Sequence, residues 1–156
     1  RMAESETKIT RSARIVERIE AELRSRGIDT LLVLSREDSD GVLPRIVDTH
    51  VVAQTAIFFN ADGRHLVLTG RTDAMAWEGY PFFDRVGAME DDFPVEFARV
   101  CDELAPAKVA LNICEDDAAY DGLRWGLYAQ LEEIVGAERL HAMEVSSADL
   151  LRSVLG

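Results

Sequence analysis

The sequence predicts an α/β fold: a mixed β-sheet of five or six strands, with one antiparallel hairpin and helices packed on both faces. Three observations carry this. The run Gly27-Ile28-Asp29-Thr30-Leu31-Leu32-Val33-Leu34-Ser35 is apolar, too short for a helix of its own, entered through a glycine and left through a polar cluster. A central strand buried on both faces reads that way. Two β-rich runs flank the turn Asn60-Ala61-Asp62-Gly63, the pattern of a hairpin. Beyond the hairpin, helical stripes alternate with short apolar runs, so the later strands join the sheet through crossovers.

Taken in order, residues 1–11 are polar and unpatterned and are expected to be a flexible lead. Arg1 before Met2 reads as a tag remnant. Ile15, Val16, Ile19 and Leu23 then recur at helical spacing, and Glu20–Arg24 and Glu22–Arg26 are four apart with the acid first, the favourable order. Gly27 can take the left-handed conformation that ends a helix. Residues 35–50 are polar and contain Gly41 and Pro44, so a long loop is expected. Strands are expected over Val51–Phe59 and His65–Leu68, then a short helix over Ala74–Glu78 and a strand over Phe82–Val86. Asp92 and Pro94 suit the start of a helix whose apolar face is Phe97, Val100, Cys101 and Leu104. Lys108–Ile113 reads as a fifth strand. Leu123, Leu127, Leu131, Ile134 and Val135 mark a helix closed by Gly136. A short strand is expected near Arg139–Ala142, and Ser146 or Ser147 can cap a last helix.

The 156 residues are 47% apolar, enough for one domain with a real core. The formal charge of −12 argues against nucleic acid or an anionic membrane as partner, because both need a positive footprint. Clusters at Glu37-Asp38-Ser39-Asp40, Glu90-Asp91-Asp92 and Glu115-Asp116-Asp117 read as solvated loops and helix starts. No apolar run is long enough to span a bilayer and no signal peptide opens the chain, so the cytoplasm is the expected location. Cys101 and Cys114 lack metal-ligand spacing and read as reduced core thiols.

Most motifs fail on inspection. Asp38, Asp40 and Gly41 fit three places of a calcium-binding EF-hand loop, but Arg36 and Val47 stand where two of its ligands belong. No glycine-rich dinucleotide turn comes after the first strand, where Arg36-Glu37-Asp38 would repel a pyrophosphate. A phosphoacceptor domain wants an aspartate ending a central strand, whereas these strands end in Ser35 and Thr69. The three histidines, His50, His65 and His141, are scattered. His65 is expected to be exposed beside the turn, and His141 to lie on an edge strand. Trp77, Trp125 and Tyr128 fall on helices and read as packing residues.

In this order the elements resemble the N-terminal domain of the creatinase, prolidase and aminopeptidase P family. The features are the arginine-rich first helix running into Arg26-Gly27-Ile28-Asp29-Thr30-Leu31-Leu32-Val33, the hairpin 57–68 followed by Gly70-Arg71-Thr72-Asp73-Ala74, and the ending Leu150-Leu151-Arg152-Ser153-Val154. The resemblance covers residues 12–156 and implies a sheet related to the ribonuclease H motif. Two departures stand out. The loop 36–50 replaces an aromatic-Leu-Thr-Gly-Phe segment, which leaves substrate preference open, and Leu155 stands where a lysine is usual.

The family's catalytic domain comes after this one and supplies two aspartates, a histidine and two glutamates to a divalent metal pair, which activates water and polarises the scissile carbonyl. The resemblance therefore implies a non-catalytic domain of an Xaa-Pro peptidase-like or creatinase-like hydrolase. It would hold no cofactor or metal of its own, shape the substrate cleft, and have the catalytic domain and a second subunit of a homodimer as partners. The alternative is a self-standing small-ligand-binding or regulatory module. His50 and Arg71 are the candidates for the cleft rim, because histidine and arginine suit a substrate carboxylate or carbonyl. The competing roles are an ordinary loop residue for His50 and a surface ion pair with Asp73 for Arg71.

Overall fold

The computed structural model describes residues 2–89 and 92–156. Arg1 and the Glu90-Asp91 part of the second acidic cluster lie outside the described residues. Six strands form one sheet in the order β4-β3-β2-β1-β5-β6. They are β1 Thr30–Ser35, β2 Thr55–Asn60, β3 His65–Gly70, β4 Phe83–Met89, β5 Val109–Leu111 and β6 Glu144–Ser146. β2 runs antiparallel to both β1 and β3, and the other three pairings are parallel. The sheet is mixed as expected, with β2–β3 the tight hairpin.

Alternation along β1 explains its unbroken apolar run. Leu31 and Val33 point into one core with Ile57, Phe59, Val67 and Ala110. Leu32 and Leu34 point into the other with Phe58, Leu66, Val109 and Leu111. Period-two geometry sends successive side chains to opposite faces, so a strand covered twice must be apolar throughout. The first core is closed by α1 (Met2–Arg26), α2 (Leu43–Ile46), α3 (Arg71–Glu78) and α7 (Ala148–Leu155). The second is closed by α4 (Phe93–Leu104), α5 (Trp125–Val135) and α6 (Ala137–Met143). The expected core residues Leu32, Val33, Ile57, Leu66, Val109, Leu111, Leu127 and Leu131 are all buried.

Several local expectations change. α1 begins at Met2, so the described part of the polar lead is helical. Good helix formers in the lead, Lys8 among them, extend a helix that packing has already nucleated. Lys8 pairs with Asp48 at 2.7 Å. Gly27, at φ 66°, ends α1 as predicted. Residues 51–54 are not strand; β2 begins at Thr55. The stretch 139–142 is helical, in α6, and the strand lies just after it. Gly136, at φ 96°, separates α5 from α6, a conformation that favours glycine.

His65 is buried rather than exposed. Its Nδ1 accepts the Asn60 N–H at 2.9 Å, so Nε2 carries the proton and donates to Glu20 Oε2 at 2.5 Å. This bond ties the hairpin to α1, a contact between residues far apart in sequence. His141 sits on α6 and pairs with Glu132 at 2.8 Å. Trp77 packs as expected, but Trp125 is 82% exposed at the first turn of α5.

Candidate functional site

The C-terminal ends of β1, β3, β4 and β5 lie at one end of the sheet, and the atypical loop 36–54 is built there. Its two ends are zipped together. Glu37 N–H donates to the Val52 carbonyl at 3.2 Å, Asp38 N–H to the Val51 carbonyl at 2.8 Å, and Val51 N–H to Asp38 Oδ1 at 2.7 Å. Glu37 and Asp38 take positive φ, 51° and 54°, to make this turn. Such a conformation is uncommon for residues with a Cβ, though aspartate tolerates it better than most.

Asp40 anchors the loop below. Its side chain is buried. Oδ1 accepts the N–H groups of Val42 and Leu43 at 2.9 and 2.7 Å, starting α2, and Oδ2 accepts Asn112 Nδ2 at 2.8 Å. Asn112 in turn brackets Leu34, donating to its carbonyl at 3.0 Å and accepting its N–H at 3.3 Å. The Asn112 side chain thereby continues the β1–β5 ladder past the last strand residue. Gly122 is required here, because a Cβ on it would lie 2.2 Å from Asp40 Oδ2.

The other side of the loop is held by α3 and the turn after it. Asp73 Oδ2 accepts the N–H groups of Val52 and Ala53 at 3.2 and 3.0 Å. Tyr80 Oη accepts the Asp48 N–H at 2.9 Å. Ala53 presses on Gly70, where a Cβ would come within 2.7 Å of its own. Thr55 and Thr69 hydroxyls meet at 2.8 Å beneath it. An apparent loop is thus a fixed platform, held from within by Asp38 and Asp40 and from outside by Asn112, Asp73 and Tyr80.

His50 and Arg71 flank this platform. His50 precedes the Val51–Ala53 segment, with its side chain 93% exposed and Nδ1 3.1 Å from Asp38 Oδ2. Arg71 is the exposed first residue of α3, two residues before the Asp73 that grips the same segment. Asp73 is turned inward onto the Val52 and Ala53 backbone. The Asp38 carboxyl is held below the usual range, first by the Val51 N–H, then by the bond to His50. Asp38 and Asp73, the residues that fix the platform, carry no signal in the sequence; each acts on backbone N–H groups far along the chain, which leaves no local pattern.

Among the described residues, no three His, Cys, Asp or Glu side chains converge as a metal-holding group. The histidines sit on separate elements, each beside its own carboxylate. These residues do not fit a divalent metal pair. No helix among the described residues is long and apolar enough to cross a membrane.

By sequence, the chain matches no protein-family model and no curated protein. By structure, it has the fold of N-terminal domains of Xaa-Pro peptidases. It is similar to an Xaa-Pro dipeptidase from Bacillus anthracis, with 16% identity and a TM-score of 0.65 over 92% of this chain and 35% of that one. It is similar to the creatinase/prolidase N-terminal domain of an X-Pro dipeptidase from Streptococcus pyogenes, with 10% identity and a TM-score of 0.67 over 91% of this chain and 98% of that one. A third likeness is to an Xaa-Pro aminopeptidase, aminopeptidase P, from Streptococcus thermophilus, with 16% identity and a TM-score of 0.63 over 92% and 97% of the two chains. At these identities the likeness is one of fold. The chain spans about a third of the length of the Bacillus anthracis dipeptidase.

Proposed function

We propose that this chain serves as the non-catalytic N-terminal domain of a metal-dependent Xaa-Pro peptidase-like or creatinase-like hydrolase of the cytoplasm. In that role it shapes the substrate cleft and takes part in subunit pairing. The supporting observation is the fold, which matches domains of this kind over about nine-tenths of the chain. The metal pair and the chemistry it supplies belong to a catalytic domain. This chain contributes position and charge: a platform fixed at the sheet end, with His50 and Arg71 beside it.

His50 or Arg71 lines the cleft rim and meets a carboxylate or carbonyl of a dipeptide-like substrate. The reading frame beyond Gly156 gives the first test. Continuation into a domain with two aspartates, a histidine and two glutamates supports the reading, and a stop codon there favours a self-standing ligand-binding module. Steady-state kinetics on the polypeptide carrying both domains give the second. His50→Ala or Arg71→Ala should cost about 1.5–3 kcal/mol in kcat/KM through loss of a charge-assisted contact. If both variants remain folded dimers with unchanged kcat/KM, the rim assignment fails. Turnover of Xaa-Pro dipeptides by the 156-residue chain alone, with manganese or cobalt added, would overturn the non-catalytic reading.

A further inference from the structure

A second surface stands out on electrostatic grounds. Arg11, Arg14 and Arg18 recur on α1 at spacings of three and four, so they share one helix face over about 10 Å. All three are exposed. Arg45 on α2 completes the set, and its guanidinium donates to the Leu155 carbonyl at 3.2 Å. These arginines line an open groove of about 520 Å³ that also presents Ile15 and Leu155, each half-buried.

The chain has 29 acidic residues to 17 basic, carboxylates enough to pair every arginine. Yet among the described residues none pairs with Arg11, Arg14 or Arg18. Asp48, which feels the charge of Arg11, is already bonded to Lys8 at 2.7 Å. Glu17 stands between Arg14 and Arg18 in sequence and makes no ion pair with either. Concentrating unpaired guanidinium groups on one face, in a molecule of net charge −12, builds a local field opposite in sign to the global one.

The shape of the row selects among anions. A single phosphate or carboxylate engages one or two guanidinium groups, whereas this row is several carboxylates long. Its apolar lining adds contact that a polyphosphate cannot use. A nucleic acid would meet the repulsion of the whole molecule over its length. We propose that the groove between α1, α2 and the end of α7 is a docking surface for an acidic protein segment, a glutamate-rich stretch carrying a few apolar side chains. The carboxylates would bridge to the arginines while the apolar side chains cover Ile15 and Leu155. α2, which contributes Arg45, belongs to the same 36–54 loop, but neither His50 nor Arg71 lines this groove, and the proposal does not rest on the peptidase reading.

The test uses the 156-residue chain and a short fluorescein-labelled peptide alternating glutamate with leucine, read by fluorescence anisotropy at about 50 mM salt, where surface charge is weakly screened. The same peptide with glutamine for glutamate is the control. Binding of the glutamate peptide alone is expected. It should weaken roughly tenfold or more in Arg14→Glu/Arg18→Glu and stay unchanged in Arg124→Glu, a surface change on another element. Arg11→Gln/Arg18→Gln, milder for folding, should weaken binding in the same direction. The proposal is overturned if the glutamate peptide does not bind, if both peptides bind alike, or if the arginine variants bind as the parent does. It is also overturned if inorganic pyrophosphate displaces the peptide at equal concentration, which would mark a small-anion site. Self-association in sedimentation velocity that Arg14→Glu/Arg18→Glu abolishes would give the groove to a second copy and overturn it likewise.

Discussion

Replacing Asp40 with alanine removes the buried carboxylate that anchors the start of α2 to Asn112. Three donors lose their acceptor: the N–H groups of Val42 and Leu43, and Asn112 Nδ2. A buried donor left unsatisfied costs about 1–3 kcal/mol. The vacated space is polar, so water can enter and recover part of the loss. The net effect should be about 2–4 kcal/mol. With a urea m-value of about 2 kcal/mol/M, the unfolding midpoint should fall by roughly 1–2 M. Circular dichroism reads the global transition, and amide exchange at Val42 and Leu43 reads α2 directly. Asp40→Asn sharpens the assignment. It can keep the Oδ1 acceptor for the two backbone donors but sets an amide N–H₂ against Asn112 Nδ2. Asn112 cannot turn to accommodate it without breaking its two bonds to Leu34. The asparagine variant should therefore lose roughly half as much as the alanine variant. If Asp40→Ala shifts the midpoint by less than about a quarter of the expected amount, the loop does not rest on this carboxylate.

Three further outcomes are expected. Leu32→Ala on β1, which empties a buried site facing α4 and α5, should cost about 2–5 kcal/mol in chemical denaturation; a near-zero loss contradicts the placement of β1. The folded-state pKa of Asp38 is depressed, so its contribution is fully present above the ordinary aspartate pKa of 3.8 and is lost as pH falls through the lower folded value. The Val51 amide should lose exchange protection over that acid window, and Asp38→Asn should remove the pH dependence. Burial pushes the Cys101 thiol up to about 12, so at about pH 8 iodoacetamide should modify Cys114, at the edge of an open groove, well before Cys101, with both reacting freely once urea unfolds the chain.

What can be read from the residues depends on how local each signal is. β1 announces itself because a strand covered on both faces must be apolar at every position, and the hairpin because Asn60 to Gly63 carries its turn chemistry in four consecutive residues. The start of α1 and the identity of 139–142 escape a sequence reading for a shared reason: polar, helix-forming stretches show no stripe when packing elsewhere decides their state. His65 looks exposed because it stands at the start of a strand beside the turn Asn60-Ala61-Asp62-Gly63. Its burial depends on Glu20, which only the folded chain brings near. The platform is legible as an unusual loop and no more. Its order comes from Asp38, Asp40, Asp73 and Asn112 acting across the fold, and single carboxylates in an acidic chain do not advertise such work. His50 and Arg71 are reached through resemblance, and the structure puts both beside that platform without assigning either a substrate.

The strand order also has a consequence for how the chain is made. β1 pairs with β2 on one side at once, through the loop that joins them, but its other side waits for β5. On a ribosome adding about 5–20 residues per second, Leu111 emerges after Ser35 by roughly 4–15 s. Throughout that interval this central, buried strand presents an unpaired edge, and one of its faces lacks α5 and α6. Such an edge invites pairing with another nascent chain. The segments between β3 and β5, which carry no partner for it, therefore set the length of its exposure, and slow codons there should lower the soluble yield more than slow codons after Leu111.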